Sequence, residues 1–120
     1  CRYCQAPLSE TASRESVDPE KIEQVWLFET SELFSEAERS ALRFARDAAS
    51  QPNAVTPEHF AELYTHYSEE QVVELLAIIC LFRWLNCWND TMATELEAKP
   101  METANRLLSA QEWDAGKHSA

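Results

Sequence analysis

The chain has 120 residues, carries 21 acidic against 10 basic side chains for a net charge of -11, and is 45% hydrophobic with one glycine. That length suits a single modest core, and the apolar content excludes a disordered chain. The acidity argues against nucleic acid and anionic membranes as partners. So little glycine for tight hairpins argues against a multi-stranded sheet as well, so the expected class is all-α, a compact helical bundle in one domain over residues 1–120.

The first element opens on Cys1-Arg2-Tyr3-Cys4. Two cysteines three positions apart face each other over one helical turn, close enough to form a disulfide, and either thiol can react as a thiolate. Pro7 follows within the same segment. It cannot donate a backbone hydrogen bond to Tyr3, and inside a helix its ring costs ~3 kcal/mol, so a kink or a restart at Pro7 is expected. Asp18-Pro19-Glu20 then reads as an N-cap followed by proline at the first helical position, with Ile22, Val25 and Trp26 as an apolar stripe.

Ser35-Glu36-Ala37-Glu38 is a capping box, and Ala41, Leu42, Phe44, Ala45 and Ala48 repeat at helical spacing behind it. Thr56-Pro57-Glu58 opens a further helix with Phe60, Leu63, Tyr64 and Tyr67 on its expected buried side. A second capping box, Ser68 to Gln71, launches the longest element, apolar nearly all round from Val72 to Leu85. Such a helix is expected to be buried on most sides and, in so small a domain, to form a subunit interface. Lys99-Pro100 is expected to break the chain before a last helix marked by Met101, Ala104, Leu107 and Leu108, and the tail from Asp114 is expected to fray.

Cys80 and Cys87 fall in the apolar helix and read as small buried hydrophobes. One Cys-x-x-Cys supplies two of the four ligands that structural zinc needs, and no Cys/His pair completes the set. No metal and no bound cofactor are therefore expected. His59 reads as a first-turn residue, His66 as a surface residue and His118 as part of the tail. Trp84, Trp88, Phe82 and Tyr67 read as core or interface, with an apolar substrate pocket as the minority reading. For Asn86, Asn89 and Asp90 the balance favours capping over a site role. The chain begins without methionine, which fits a missing upstream segment. The longest unbroken apolar run, Leu75 to Phe82, is too short to span a bilayer, and a cytoplasmic location is expected.

Cys1-Arg2-Tyr3-Cys4-Gln5-Ala6 resembles the redox motif of the carboxymuconolactone decarboxylase-like superfamily, alkylhydroperoxidase D branch. The segments Phe34 to Arg39, Ala41 to Ala45, Val55 to Phe60 and Asn86 to Thr91 agree in order. The resemblance covers Cys1 to about Glu97 and implies an all-helical oligomer, with this chain as the C-terminal part of such a domain. It also implies a thiol-dependent hydroperoxide or disulfide reductase. In that reading Cys4 attacks the peroxide, Cys1 resolves the sulfenic acid as a disulfide, and a thiol or protein reductant restores the pair. Two departures stand out. Pro7 and Leu8 occupy the positions where the family carries a relay histidine, and the family's relay glutamate lies upstream of the cysteines. An inactive oligomeric or binding module is the alternative, and lactone decarboxylation, whose branch lacks the paired cysteines, is a weaker one.

Overall fold

A computed structural model describes residues 1–119. Among them the chain forms six α-helices and no strand: α1 (Arg2–Arg14), α2 (Pro19–Glu23), α3 (Glu36–Ala49), α4 (Pro57–Leu63), α5 (Glu69–Met92) and α6 (Ala98–Leu107). Short 3₁₀ turns cover Val25–Leu27, Ser109–Gln111 and Gly116–His118. The all-α class read from the sequence is the one observed. The chain divides into two compact units, one of Cys1–Leu27 with the chain from Trp84 onward, the other of Phe28–Arg83.

In the first unit α1 lies against α6, and α2 packs on both. The core is built from Ala6 on α1, Ile22 on α2, Ala104 and Leu107 on α6, and Leu96, Leu108 and Ala115 from the flanking chain. The restart expected as one outcome at Pro7 does not occur: α1 is one helix from Arg2 to Arg14 with Pro7 inside it. The physical reason is its docked face: Cys4, Ala6 and Ser9 are all buried, and that packing offsets the cost of one missing hydrogen bond. Asp18 caps α2 as expected, its side chain accepting from the Glu20 amide at 2.9 Å. Lys99 and Pro100 do not break the chain. They sit in the first turn of α6, where the amide that proline lacks would have had no helical partner. The change of direction comes earlier, at Ala93, which adopts φ 50°.

The second unit buries Phe44, Leu63 and Val72, with Phe60, Tyr67, Leu75 and Ile79 packed around them. Phe44 and Phe60 meet edge to face with ring centroids 5.5 Å apart. Ser35 and Glu38 form the expected reciprocal cap of α3, and Ser68 and Gln71 form the one that starts α5. Tyr64 is exposed, contrary to expectation, because α4 ends at Leu63 and the helical periodicity stops there. Tyr67 lies beyond the helix and donates its hydroxyl to the Ala37 carbonyl at 2.8 Å.

Asp47 anchors this unit's polar network. Its carboxylate accepts from Arg46 at 2.8 Å and faces His59 Nε2 at 2.8 Å. Those partners, Arg46 first and then His59, pull its pKa down to about 2 from an ordinary 3.8. A depressed carboxylate stabilises the fold in its ionised form. That stability is complete above about pH 3.8 and is lost as pH falls through about 2. Asp47→Asn is therefore expected to flatten the acid limb of a stability-versus-pH curve across that window, read by urea denaturation.

Helix α5 departs most from expectation. Of its 24 residues Val72 alone is fully buried, while Val73, Leu76, Leu81, Trp84 and Trp88 are exposed. Cys80 and Cys87 are exposed as well, not buried as the pattern suggested. The reason is geometric, since within this chain's second unit α5 offers only one stripe, Val72, Leu75 and Ile79, to a core. By length and composition α5 is also apolar enough to cross a membrane, with mean hydropathy 1.4.

Candidate active site

Cys1 is the N-cap of α1, and Cys4 sits at the third helical position, so one turn brings both sulfurs to the amide-rich end of a 13-residue helix. Helical neighbours three apart lie about 5–6 Å from Cβ to Cβ, a small adjustment from the ~3.5–4.5 Å of a disulfide. Both cysteines are free thiols here. Their surroundings differ. Cys4 is 7% exposed, and its sulfur accepts from the Asn89 side-chain amide at 3.7 Å. Cys1 is half-buried and lines an open cleft of about 730 Å³.

That cleft is walled by Arg2 from α1, by Asn86, Cys87 and Asp90 from the end of α5, and by Lys117 and His118 from the chain's last turn. Asn86, Asn89 and Asp90, read from the sequence mainly as capping residues, thus stand around the two thiols. A smaller apolar hollow of about 270 Å³ shares Cys87 and Thr91 with the cleft and adds Trp84, Trp88 and Met92. The two indoles stack, 5.7 Å between centroids. Phe82 and Tyr67 do not line it.

Through Ser119 the tail from Asp114 folds onto the first unit. Gly116, at φ 56°, makes a left-handed turn that a side chain would strain, and the turn folds His118 inward until it is 1% exposed. Leu96 donates its amide to the His118 carbonyl at 2.9 Å. His118 Nδ1 lies 2.9 Å from the Thr94 carbonyl oxygen. A carbonyl can only accept, so Nδ1 carries a proton, and in the neutral form of the ring Nε2 is the nitrogen with a free lone pair. Nε2 has no hydrogen-bond partner among the described residues. It faces Asp90 Oδ1 at 3.6 Å, and one ligand atom from each of Cys1, Asp90 and His118 lies within 4.8 Å of the others.

The charges around this group are set by pairs. Lys117 Nζ sits 3.2 Å from Asp90 Oδ2 and, as the main cause, holds the Asp90 carboxyl below its ordinary range. Arg2 is paired with Asp114. Burial, and then Glu97, pushes the Tyr3 phenol above its usual value, and the Tyr3 ring stands 5.8 Å from that of His118. Sequence reading placed the dithiol but missed His118, because the partner of a thiol 117 positions away leaves no spacing to read. Its nearest signal was the lone glycine two residues before it.

No family model and no curated protein matches the chain. Two crystal structures do: the debrominase Bmp8 in its apo form, and a cysteine-to-alanine variant of Bmp8 in complex with 2,3,4-tribromopyrrole. Each is 39% identical to this chain and superposes with a TM-score of 0.81. The alignments cover 88% and 89% of this chain but 57% of the Bmp8 chain, so the sequence spans little more than half the length of these structural neighbours, one of which is a dehalogenating enzyme bound to a brominated pyrrole.

Proposed function

We propose that this chain carries the dithiol centre of a thiol-dependent reductase that removes bromine from a small halogenated aromatic, built on an alkylhydroperoxidase D-like scaffold. One observation carries the reading: Cys1, with Cys4 one turn behind it, opens into a cleft in which a buried histidine has a nitrogen without a hydrogen-bond partner beside a carboxylate. The likeness to Bmp8 supports the substrate class, and the apolar hollow walled by Trp84 and Trp88 suits a flat ring.

The chemistry needs two electrons. His118 Nε2 takes the Cys1 proton. The Cys1 thiolate attacks the bromine, the carbon–bromine bond breaks with its electron pair left on carbon, and the imidazolium returns the proton to that carbon. Cys1 now carries bromine on sulfur. Cys4 attacks that sulfur, bromide leaves, and a Cys1–Cys4 disulfide remains. The balance is one aryl bromide and two thiols to one arene, one disulfide, one bromide and one proton. An external dithiol reduces the disulfide for the next cycle. Cys1 attacks because it lines the cleft, and Cys4 resolves because it is buried, which reverses the roles implied by the family resemblance.

A second reading keeps the same thiols and substitutes an alkyl hydroperoxide for the aryl bromide, giving Cys1 sulfenic acid and then the same disulfide. The sequence motif favours it. His118 argues against the inactive module for both readings, since it offers a base where Pro7 and Leu8 left none. The test is an incubation of the reduced chain with a tribromopyrrole or with cumene hydroperoxide under a regenerating dithiol. Bromide release above the thiol-only background is expected. Peroxide consumption alone would favour the second reading, and neither would sink both.

We propose further that the exposed apolar side of α5 pairs with a second copy of the chain. Val73, Leu76 and Cys80 fall at intervals of three and four, the spacing of a helix–helix seam. Sedimentation velocity is expected to show a dimer or larger assembly that Val73→Glu with Leu76→Glu converts to monomer. A wild-type monomer that floats with lipid vesicles would instead assign α5 to a membrane.

A further inference from the structure

Three ligand types that bind zinc converge at the cleft: a thiol, an imidazole nitrogen and a carboxylate oxygen, all within 4.8 Å of one another. In a tetrahedral zinc site with bonds of about 2.0–2.3 Å, ligand atoms stand roughly 3.3–3.7 Å apart. At its widest the observed group needs to contract by about 1.1–1.5 Å. We propose that Cys1, Asp90 and His118 form a zinc-type divalent cation site with its fourth position open to the cleft.

His118 carries the argument. It is 1% exposed, and its Nε2 is unsatisfied, a costly state for a buried nitrogen that a metal bond would relieve. Its other nitrogen donates to the Thr94 carbonyl, the arrangement that fixes the tautomer and ring orientation of a metal-bound histidine. Asp90 divides its oxygens in the matching way. Oδ1 faces His118 at 3.6 Å, while Oδ2 holds Lys117 at 3.2 Å, so the carboxylate can ligate through one oxygen and keep its outer partner on the other. The other cation at the cleft, Arg2, is engaged by Asp114.

Binding replaces the Cys1 proton, which leaves to solvent, so affinity rises with pH. The consequence rests on the catalytic reading above: a zinc-bound Cys1 thiolate can neither attack substrate nor pair with Cys4, so the cation holds the dithiol reduced and idle.

The test uses cobalt(II) as a spectroscopic stand-in, with the thiols reduced and no substrate. The expected result is a thiolate-to-cobalt charge-transfer band and four-coordinate ligand-field bands at one equivalent, displaced by zinc. His118→Ala and Asp90→Asn are each expected to weaken binding at least tenfold, and Cys1→Ser to abolish the charge-transfer band. Asp90 is exposed, so its variant folds even if loss of the buried histidine does not allow it. Zinc is also expected to slow alkylation of Cys1 at least tenfold in the wild type and not in Asp90→Asn. Absence of the charge-transfer band, or its persistence in Cys1→Ser or undiminished in Asp90→Asn, overturns the site. Debromination is assayed separately in chelator: bromide release without cobalt binding removes the metal site alone, and cobalt binding without bromide release removes the catalytic reading alone.

Discussion

On the proposed debromination, Cys1→Ser is expected to lower turnover by roughly 10³-fold or more, as removal of a nucleophile does elsewhere, whereas Cys4→Ser is expected to stop the cycle after one event. The difference follows from burial. Cys1 lines the cleft and Cys4 does not, so in Cys4→Ser the first thiol still takes the bromine and releases one equivalent of arene. The sulfur–bromine bond then hydrolyses to a sulfenic acid, which a cyclic diketone traps on Cys1. Rapid-quench product counting and mass spectrometry of the trapped peptide read both halves. One equivalent of product with the adduct on Cys1 supports the assigned roles. An adduct on Cys4 in Cys1→Ser, with product formed, restores the order implied by the family resemblance. His118→Ala is expected to cost about 10²–10⁴-fold through loss of the proton carrier, with partial rescue by free imidazole, which a purely structural defect would not show.

Phe44→Ala is expected to destabilise the second unit by about 3–5 kcal/mol. Phe44 is 1% exposed and sits between Leu63, Val72 and the edge of Phe60. Truncation leaves a ring-sized void that helical backbones do not close. Domains of this size are stable by only about 5–15 kcal/mol, so the loss is a large share of the total. A melting temperature lower by about 10–20 °C is expected in thermal denaturation. Amides of α3 should exchange early in the same variant, while those of α1 and α6, in the first unit, should be little changed. Phe60→Ala, at a half-buried position, should cost clearly less. Equal losses from the two substitutions would place the keystone elsewhere.

Local signals were legible without the fold. Asp18, Ser35 and Ser68 cap helices as read, because a cap is a contact between residues two or three apart and depends on nothing distant. The all-α class followed from helical periodicity and the scarcity of glycine for the same reason. The restart at Pro7 and the break at Lys99-Pro100 do not occur because a local rule sets only the cost of a proline. Whether that cost is met depends on packing at Ala6 in one case and on the position within the first turn of α6 in the other.

The apolar surround of α5 was equally legible, and its meaning was not. An apolar residue states a preference for burial but not its partner, and here most of the helix's apolar surface finds none within the chain. The dithiol was determined by sequence alone, since one helical turn fixes which residues can meet. Its surroundings came from tertiary structure: Asn89 on Cys4, Asp90 and His118 beside Cys1, and the turn at Gly116 that buries the histidine. These residues meet across 85 to 117 positions of chain. Chain closure over that distance is set by the summed packing of helices, which no spacing rule encodes.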